Sequence, residues 1–212
     1  MDNLEIKKND WGLKINLDGG RIEELRYKDE IILGTYQRID GKTGNTHICT
    51  PNFGDEGMQK FNLPSFHGQF RNGRWNLVEK TDDKIEIEST IDELKVRQIF
   101  QLIDDFSQKI SIENLGQKAK IVNIAIHNYW DSISGWQGIK LNGEVVDELV
   151  KTDISKEIGK DNILEIPGKL VKRWQFLGFG NCQFWTNFKE ENGQKVYDQK
   201  YVCLEPSLEK QG

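Results

Sequence analysis

The sequence is poor in the residues that most often mark cross-linking or metal chemistry. Of 212 residues only three are cysteine, three histidine, two methionine and four proline. Cys49, Cys182 and Cys203 are scattered and odd in number, without a C-x-x-C pair, so they read as small buried hydrophobes of a reducing compartment. No apolar run approaches the ~20 residues needed to cross a bilayer. The opening "MDNLEIKKNDWG" lacks the apolar core of a secretory leader, and the expectation is a soluble cytoplasmic protein. Basic residues never cluster beyond "KK" or "VKR", and the net charge is −5 with a pI near 5.4. Nucleic acid is therefore not an expected partner, because phosphate neutralisation needs a clustered positive face. No G-x-S-x-G elbow is present, and "DGKTGN" only resembles the tail of a phosphate-cradling loop. His47, His67 and His127 fall on separate segments with no H-x-H partner, so no metal is expected from local spacing, which leaves open only a site assembled in three dimensions.

What is abundant is alternation. With 36% hydrophobic and 30% charged residues, the chain can bury a sizeable core under a solvated surface, and 1–212 reads as a single domain. "WGLKINLDGG" puts Trp11, Leu13, Ile15 and Leu17 on one face and ends at a Gly-Gly turn. "DKIEIEST", "LKVRQIF" and "QKISIENLG" continue the two-residue period, although Thr90 to Phe100 also admits a weaker helical reading. "AKIVNIAIHNYWDS" is apolar on both faces, which suits a central strand. Turn clusters recur at "SGWQG", "LNGE", "IPGK", "GFGN" and "EENGQ", while Val150 to Leu164 reads as loop or short helix. The fold class expected is all-β, an antiparallel β-sandwich.

Two side chains stand out chemically. His127 lies mid-strand beside Tyr129 and Trp130; it is either a satisfied core histidine or a partly buried imidazole suited to proton transfer. Glu205, in "KYVCLEPSLEKQG", either marks a strand's exposed end at Pro206 or faces inward. If it faces inward, burial raises its pKa toward the working range of a general base.

Taken in order, five segments resemble the aldose 1-epimerase (galactose mutarotase) superfamily, including its hexose-6-phosphate branch. "LDGGRIEELRYKDEIIL" resembles the family's opening, and "HICTPNFGDEG" its C-x-P-x-F-G segment. "LPSFHGQFRNGRW" resembles H-G-F-x-R-x-x-x-W with Gln69 in the usual place of the aromatic. "AIHNYWD" is similar to the A-x-H-x-Y-F strand, and "YVCLEP" to the closing V-C-[LIV]-E-[PT] strand. The resemblance implies a cofactor-free mutarotase that works on a sugar or sugar phosphate, often as a monomer. It implies Glu205 as general base and His127 as general acid at opposite ends of one pyranose, with His67, Arg71 and Tyr129 binding the sugar. Arg71 matches the arginine of the phosphosugar branch, and Arg74, Arg38 and Lys42 could complete a phosphate pocket with it. The family also supplies a sugar-orienting aspartate, for which Asp131, Asp147 and Asp153 are the available candidates. A non-catalytic carbohydrate-binding module is the alternative.

Overall fold

In the computed structural model the described residues are 3–54, 59, 66–132, 135–169 and 172–208. Residues 55–57 and 63–65, at the end of "HICTPNFGDEG" and the start of "LPSFHGQFRNGRW", lie outside them, as does Ser134 of "SGWQG". The chain opens with β1 (Asn3–Lys8), β2 (Trp11–Asn16), β3 (Arg21–Tyr27), β4 (Glu30–Leu33), β5 (Tyr36–Gln37), β6 (Thr43–Gly44) and β7 (His47–Cys49). A short 3-10 turn, Phe70–Asn72, precedes β8 (Asn76–Lys80), β9 (Lys84–Ile91), β10 (Leu94–Leu102) and β11 (Phe106–Asn114). Then come β12 (Ala125–Asp131), β13 (Lys140–Leu141), β14 (Glu144–Val145) and a helix, Asp147–Thr152. The remaining strands are β15 (Ser155–Glu157), β16 (Asp161–Glu165), β17 (Lys172–Gln175), β18 (Asn181–Trp185), β19 (Phe188–Glu191), β20 (Gln194–Tyr197) and β21 (Tyr201–Ser207).

The large sheet runs β1-β2-β3-β4-β12-β21-β18-β15, and β7 also pairs with β12. β4 reaches β12 only at Trp130, whereas β7 covers Ala125 to His127, so the two share one edge of the central strand. A second sheet, β11-β10-β9-β8, packs across the first, and one apolar cluster joins Leu13, Ile15, Val202, Leu204 and Phe184 to Ile85, Ile87, Val96 and Phe100. A smaller sheet, β14-β13-β16-β17, adds Leu141 and Leu164 to the same core. The molecule is a largely antiparallel β-sandwich, as the alternation implies.

Local chemistry explains where the sequence reading needed adjustment. The turn between β9 and β10 falls at Asp92 and Glu93, both with positive φ (49° and 64°). Such a turn matches the right-handed twist of a hairpin, so Thr90 to Phe100 is two strands and not a helix. β12 starts at Ala125 and not at Ala119, because upstream the Asn123 amide donates to the Pro51 carbonyl at 2.7 Å instead of joining a ladder. Pro206 does not end β21; Ser207 beyond it is paired with Ala125 on one side and Asn181 on the other. The ambiguous stretch from Val150 to Leu164 resolves into the end of the helix, β15 and β16.

Candidate active site

One transverse row of side chains builds the site. His47 on β7 stands opposite His127 on β12. The pairs Ala125–Ser207 and Asn128–Leu204 bring Glu205 on β21 level with His127, and Glu205 in turn pairs with Gln183 on β18. Directly opposed residues on neighbouring strands share a face, so four polar side chains from four strands stand abreast. Two residues along, Tyr129, Cys203 and Trp185 form a parallel row. The intervening Val202, Leu204 and Phe184 point the other way into the core, which is the period-two alternation of the strands seen from the function side.

All of the side chains in these two rows but Cys203 line a cavity of about 600 Å³, within the range of small-molecule sites. Around its mouth stand Arg21 from β3, Arg38 and Lys42 from the β5–β6 turn, and His67 and Arg71 from the segment that ends in the 3-10 turn. Asp153 enters from the residue that follows the helix, where its φ of 55° and ψ of 48° form a left-handed cap.

Glycines let these segments approach. Gly68 has φ +71°, and a Cβ there would lie 1.8 Å from the Thr50 carbonyl oxygen; the close contact holds the His67 segment against the chain leaving β7. A Cβ on Gly44 would lie 2.3 Å from the Tyr129 ring, so the ring packs directly on the backbone of β6. Arg21 ties the mouth together, donating to the Arg71 carbonyl at 2.7 Å and to Asn45 Oδ1 at 3.0 Å.

His127 sits at the centre. Its ring stacks on His47 at 4.9 Å and on Tyr129 at 4.9 Å, with His67 at 5.4 Å and Trp185 at 5.6 Å edge-on. His127 Nδ1 lies 3.1 Å from Glu205 Oε2, close enough to exchange a proton but off the line of a formed hydrogen bond. The three histidines, far apart in sequence, therefore converge. The acid–base candidates touch each other instead of standing at opposite ends of a ring-sized gap, because neighbouring strands of one sheet carry both.

Burial governs the electrostatics. It pushes the Glu205 carboxyl well above the usual range, and the nearby Asp153 carboxylate adds to the shift. It holds the His127 imidazole well below its ordinary value, helped by His47 and His67. Burial, with Arg21, Arg71 and Arg38 nearby, brings His47 down to about 3, while its bond to Asn45 opposes the shift. His67 is held near 2 by burial and the Arg71 charge. Asp153 is raised by burial.

Of the residues singled out in the sequence, His127, Glu205, His67, Arg71 and Tyr129 all line the cavity. Arg74 does not; it turns to the surface and pairs with Asp18 at 2.7 Å. Arg21 takes its place, and the "GGR" turn that aims it was legible as a turn only. Gln69 is absent from the lining, where Phe66 appears instead. Among the three aspartates only Asp153 reaches the cavity: Asp131 receives Lys169 and the Tyr36 hydroxyl, and Asp147 accepts the Gly138 amide. His47, Gln183 and Trp185 were not anticipated. For His47 a signal existed in the alternating "HIC" of β7, which points His47 and Cys49 to one side. Donor atoms of His47, Cys49 and His127 lie within 4.8 Å of one another, a grouping that spacing along the sequence does not show. No helix among the described residues is long and apolar enough to cross a membrane.

No protein-family model and no curated protein matches this sequence. Solved structures do match. The galactose mutarotase related enzyme from Lactobacillus acidophilus aligns with a TM-score of 0.76 over 97% of this chain and 85% of that one, at 16% identity. A galactose mutarotase-like protein from Lactobacillus casei aligns at 0.74 over 97% and 87%, with 12% identity. The aldose epimerase homologue from C. elegans aligns at 0.55 over 97% and 89%, with 11% identity. The chain thus has the β-sandwich fold of the galactose mutarotase type, the fold that its five sequence segments anticipate.

Proposed function

We propose that this protein is an aldose 1-epimerase, a mutarotase that interconverts the α and β anomers of a sugar by proton transfer. The observation that carries the reading is the buried contact of His127 with Glu205 on the wall of a cavity large enough to admit a sugar. A module that only binds sugar has no need of such a buried acid–base pair.

Anomerisation needs a base for the O1 hydroxyl and an acid for the ring oxygen. The ring opens, the aldehyde carbon rotates, and closure reverses both transfers, each worth about 10²–10⁴-fold. Burial favours a neutral imidazole beside a protonated carboxyl. That arrangement holds the same number of protons as an imidazolium beside a carboxylate, the form in which Glu205 is base and His127 acid. A proton crossing the 3.1 Å gap interconverts the two, so the pair keeps its proton count throughout a cycle. His67 and Tyr129 supply ring contacts, and Asp153 is the aspartate that orients the sugar.

The substrate class follows from charge. Arg21, Arg38, Lys42 and Arg71 line the cavity with two carboxyl groups, Asp153 and Glu205; Arg38 also pairs with Asp40 at 2.7 Å, and the remaining excess of cations suits a hexose 6-phosphate over a free hexose. The test is polarimetry of freshly dissolved α-glucose, and NMR exchange spectroscopy of glucose 6-phosphate, with and without the protein. The reading expects faster approach to anomeric equilibrium, lost in Glu205→Gln and His127→Asn. A wild-type protein that binds sugar without changing the rate would make it a binding module.

A further inference from the structure

β7 carries an alternation that anomerisation does not use. His47 and Cys49 are two residues apart on one strand and so project from one face, while His127 stands opposite His47 on the next strand. An imidazole nitrogen of each histidine and the Cys49 sulfur all lie within 4.8 Å of one another. Tetrahedral zinc at about 2.0–2.1 Å from nitrogen and 2.3 Å from sulfur needs donors roughly 3.3–3.6 Å apart, a closing-in of about 1 Å. Rotation of the three side chains would have to supply it, and the residue opposite Cys49 is the small Ala125.

The donors are prepared for a ligand. His47 Nδ1 lies 2.8 Å from the Asn45 carbonyl oxygen. A carbonyl can only accept, so Nδ1 carries the hydrogen and Nε2 presents a lone pair, the arrangement that fixes ligating histidines. His47 Nε2 and both ring nitrogens of His127 are buried with no hydrogen bond among the described residues. His47 and His127 are 7% and 6% exposed.

We propose that His47, Cys49 and His127 form a binding site for a divalent ion of the zinc type, with a fourth position open toward the sugar cavity. Two imidazoles and a thiolate select such an ion over magnesium or calcium, which take oxygen ligands. On binding, the Cys49 S–H bond breaks, its proton passes to water and the thiolate donates its electron pair to the metal; no oxidation state changes. An imidazole lone pair engaged by a metal cannot accept a proton. On the mutarotase reading, on which this consequence rests, the ion therefore silences the enzyme by holding His127.

Cobalt(II) titrated into the metal-free full chain should give a near-ultraviolet thiolate-to-cobalt absorption at one equivalent, displaced by zinc. Cys49→Ser should lose that absorption and bind roughly a hundredfold more weakly, the upper end of the cost of removing even a ligand's hydrogen-bond partner. In the activity assay, zinc should stop wild-type anomerisation reversibly with a chelator, while Cys49→Ser keeps its basal rate and resists zinc. Should the serine variant lose its cooperative melt, Cys49→Ala gives the same comparison. No near-ultraviolet absorption in the wild type, or one that survives Cys49→Ser and vanishes in Cys203→Ser, overturns the site. A cobalt signal without basal anomerisation keeps the metal site and discards the mutarotase.

Discussion

Gln183 donates its side-chain amide to Asp153 at 2.5 Å, and in the ladder the same Gln183 stands opposite Glu205. The helix ahead of Asp153 and the strand β18 thus bring a second carboxylate to the acid–base pair. Asp153 raises the Glu205 pKa, so removing its charge should lower it. Asp153→Asn is expected to shift the acidic limb of the kcat/KM profile to lower pH and to raise KM for the sugar. An unchanged pH profile would separate Asp153 from the chemistry.

Arg71 and Arg74 make a matched comparison. Arg71 lines the cavity and Arg74 pairs with Asp18 at the surface. Hydrogen bonds to a charged group are worth about 1.5–3 kcal/mol. Arg71→Ala should therefore raise KM for glucose 6-phosphate by roughly 10–100-fold and leave free glucose much less affected, whereas Arg74→Ala changes neither. Steady-state kinetics with both sugars, repeated at higher salt, reads this directly.

Asp131 anchors the far side of the aromatic wall. It accepts the Tyr36 hydroxyl at 2.5 Å and pairs with Lys169, whose side chain is 4% exposed. Tyr36 in turn stacks on Tyr201 at 5.4 Å. Asp131→Ala strands a buried ammonium, a change that typically costs about 3–5 kcal/mol. Denaturant melts should report that loss, and Asp131→Asn, which can still accept the tyrosine hydroxyl, should lose less.

The buried histidines make the fold sensitive to acid. His47 is lowered from 6.5 to about 3, so as pH falls the unfolded chain binds its proton first. Its contribution is intact above pH 6.5 and is lost progressively down to about pH 3, at about 1.4 kcal/mol per pH unit per proton. His67, held near 2, adds the same sign. Glu205, raised above its ordinary 4.5, opposes this: the unfolded chain ionises it first, so its share is lost as pH climbs above 4.5. Melting temperature should fall on acidification below pH 6.5, most steeply below 4.5 where Glu205 no longer offsets the histidines. His47→Asn should shed one proton's worth of that slope.

Gly68→Ala tests how the His67 segment is held. The new methyl meets the Thr50 carbonyl in a left-handed backbone, and strain of this kind costs about 1–3 kcal/mol. A lower melting temperature with weakened sugar binding is expected; an unaffected variant would mean that the segment is not fixed by this contact.

The fold was largely readable because its determinants are local. The alternation of "WGLKINL" and "DKIEIES" and the turn residues at Gly19–Gly20 and Asn192–Gly193 act over a few positions, and the strands follow them. The site was readable only where a motif existed. His127 and Glu205 stood out from their strand contexts and, with His67 and Arg71, took their roles from the resemblance, whereas His47, Gln183 and Arg21 depend on which strands become neighbours. Register between β7 and β12, or between β18 and β21, is set by the whole sheet closing around its core. Residues so far apart carry no local sign of their eventual partners. Arg74 misled for the same reason, since one position in a turn decides between cavity and solvent.

β21 enters the sheet between β12 and β18, both of which precede it in the chain. During synthesis that slot stays open until Tyr201–Ser207 has left the ribosome. A truncated product ending before Tyr201 would carry His127 without Glu205 and would leave two unzipped strand borders available to other chains. Premature termination should therefore yield aggregates and no partially active fragment.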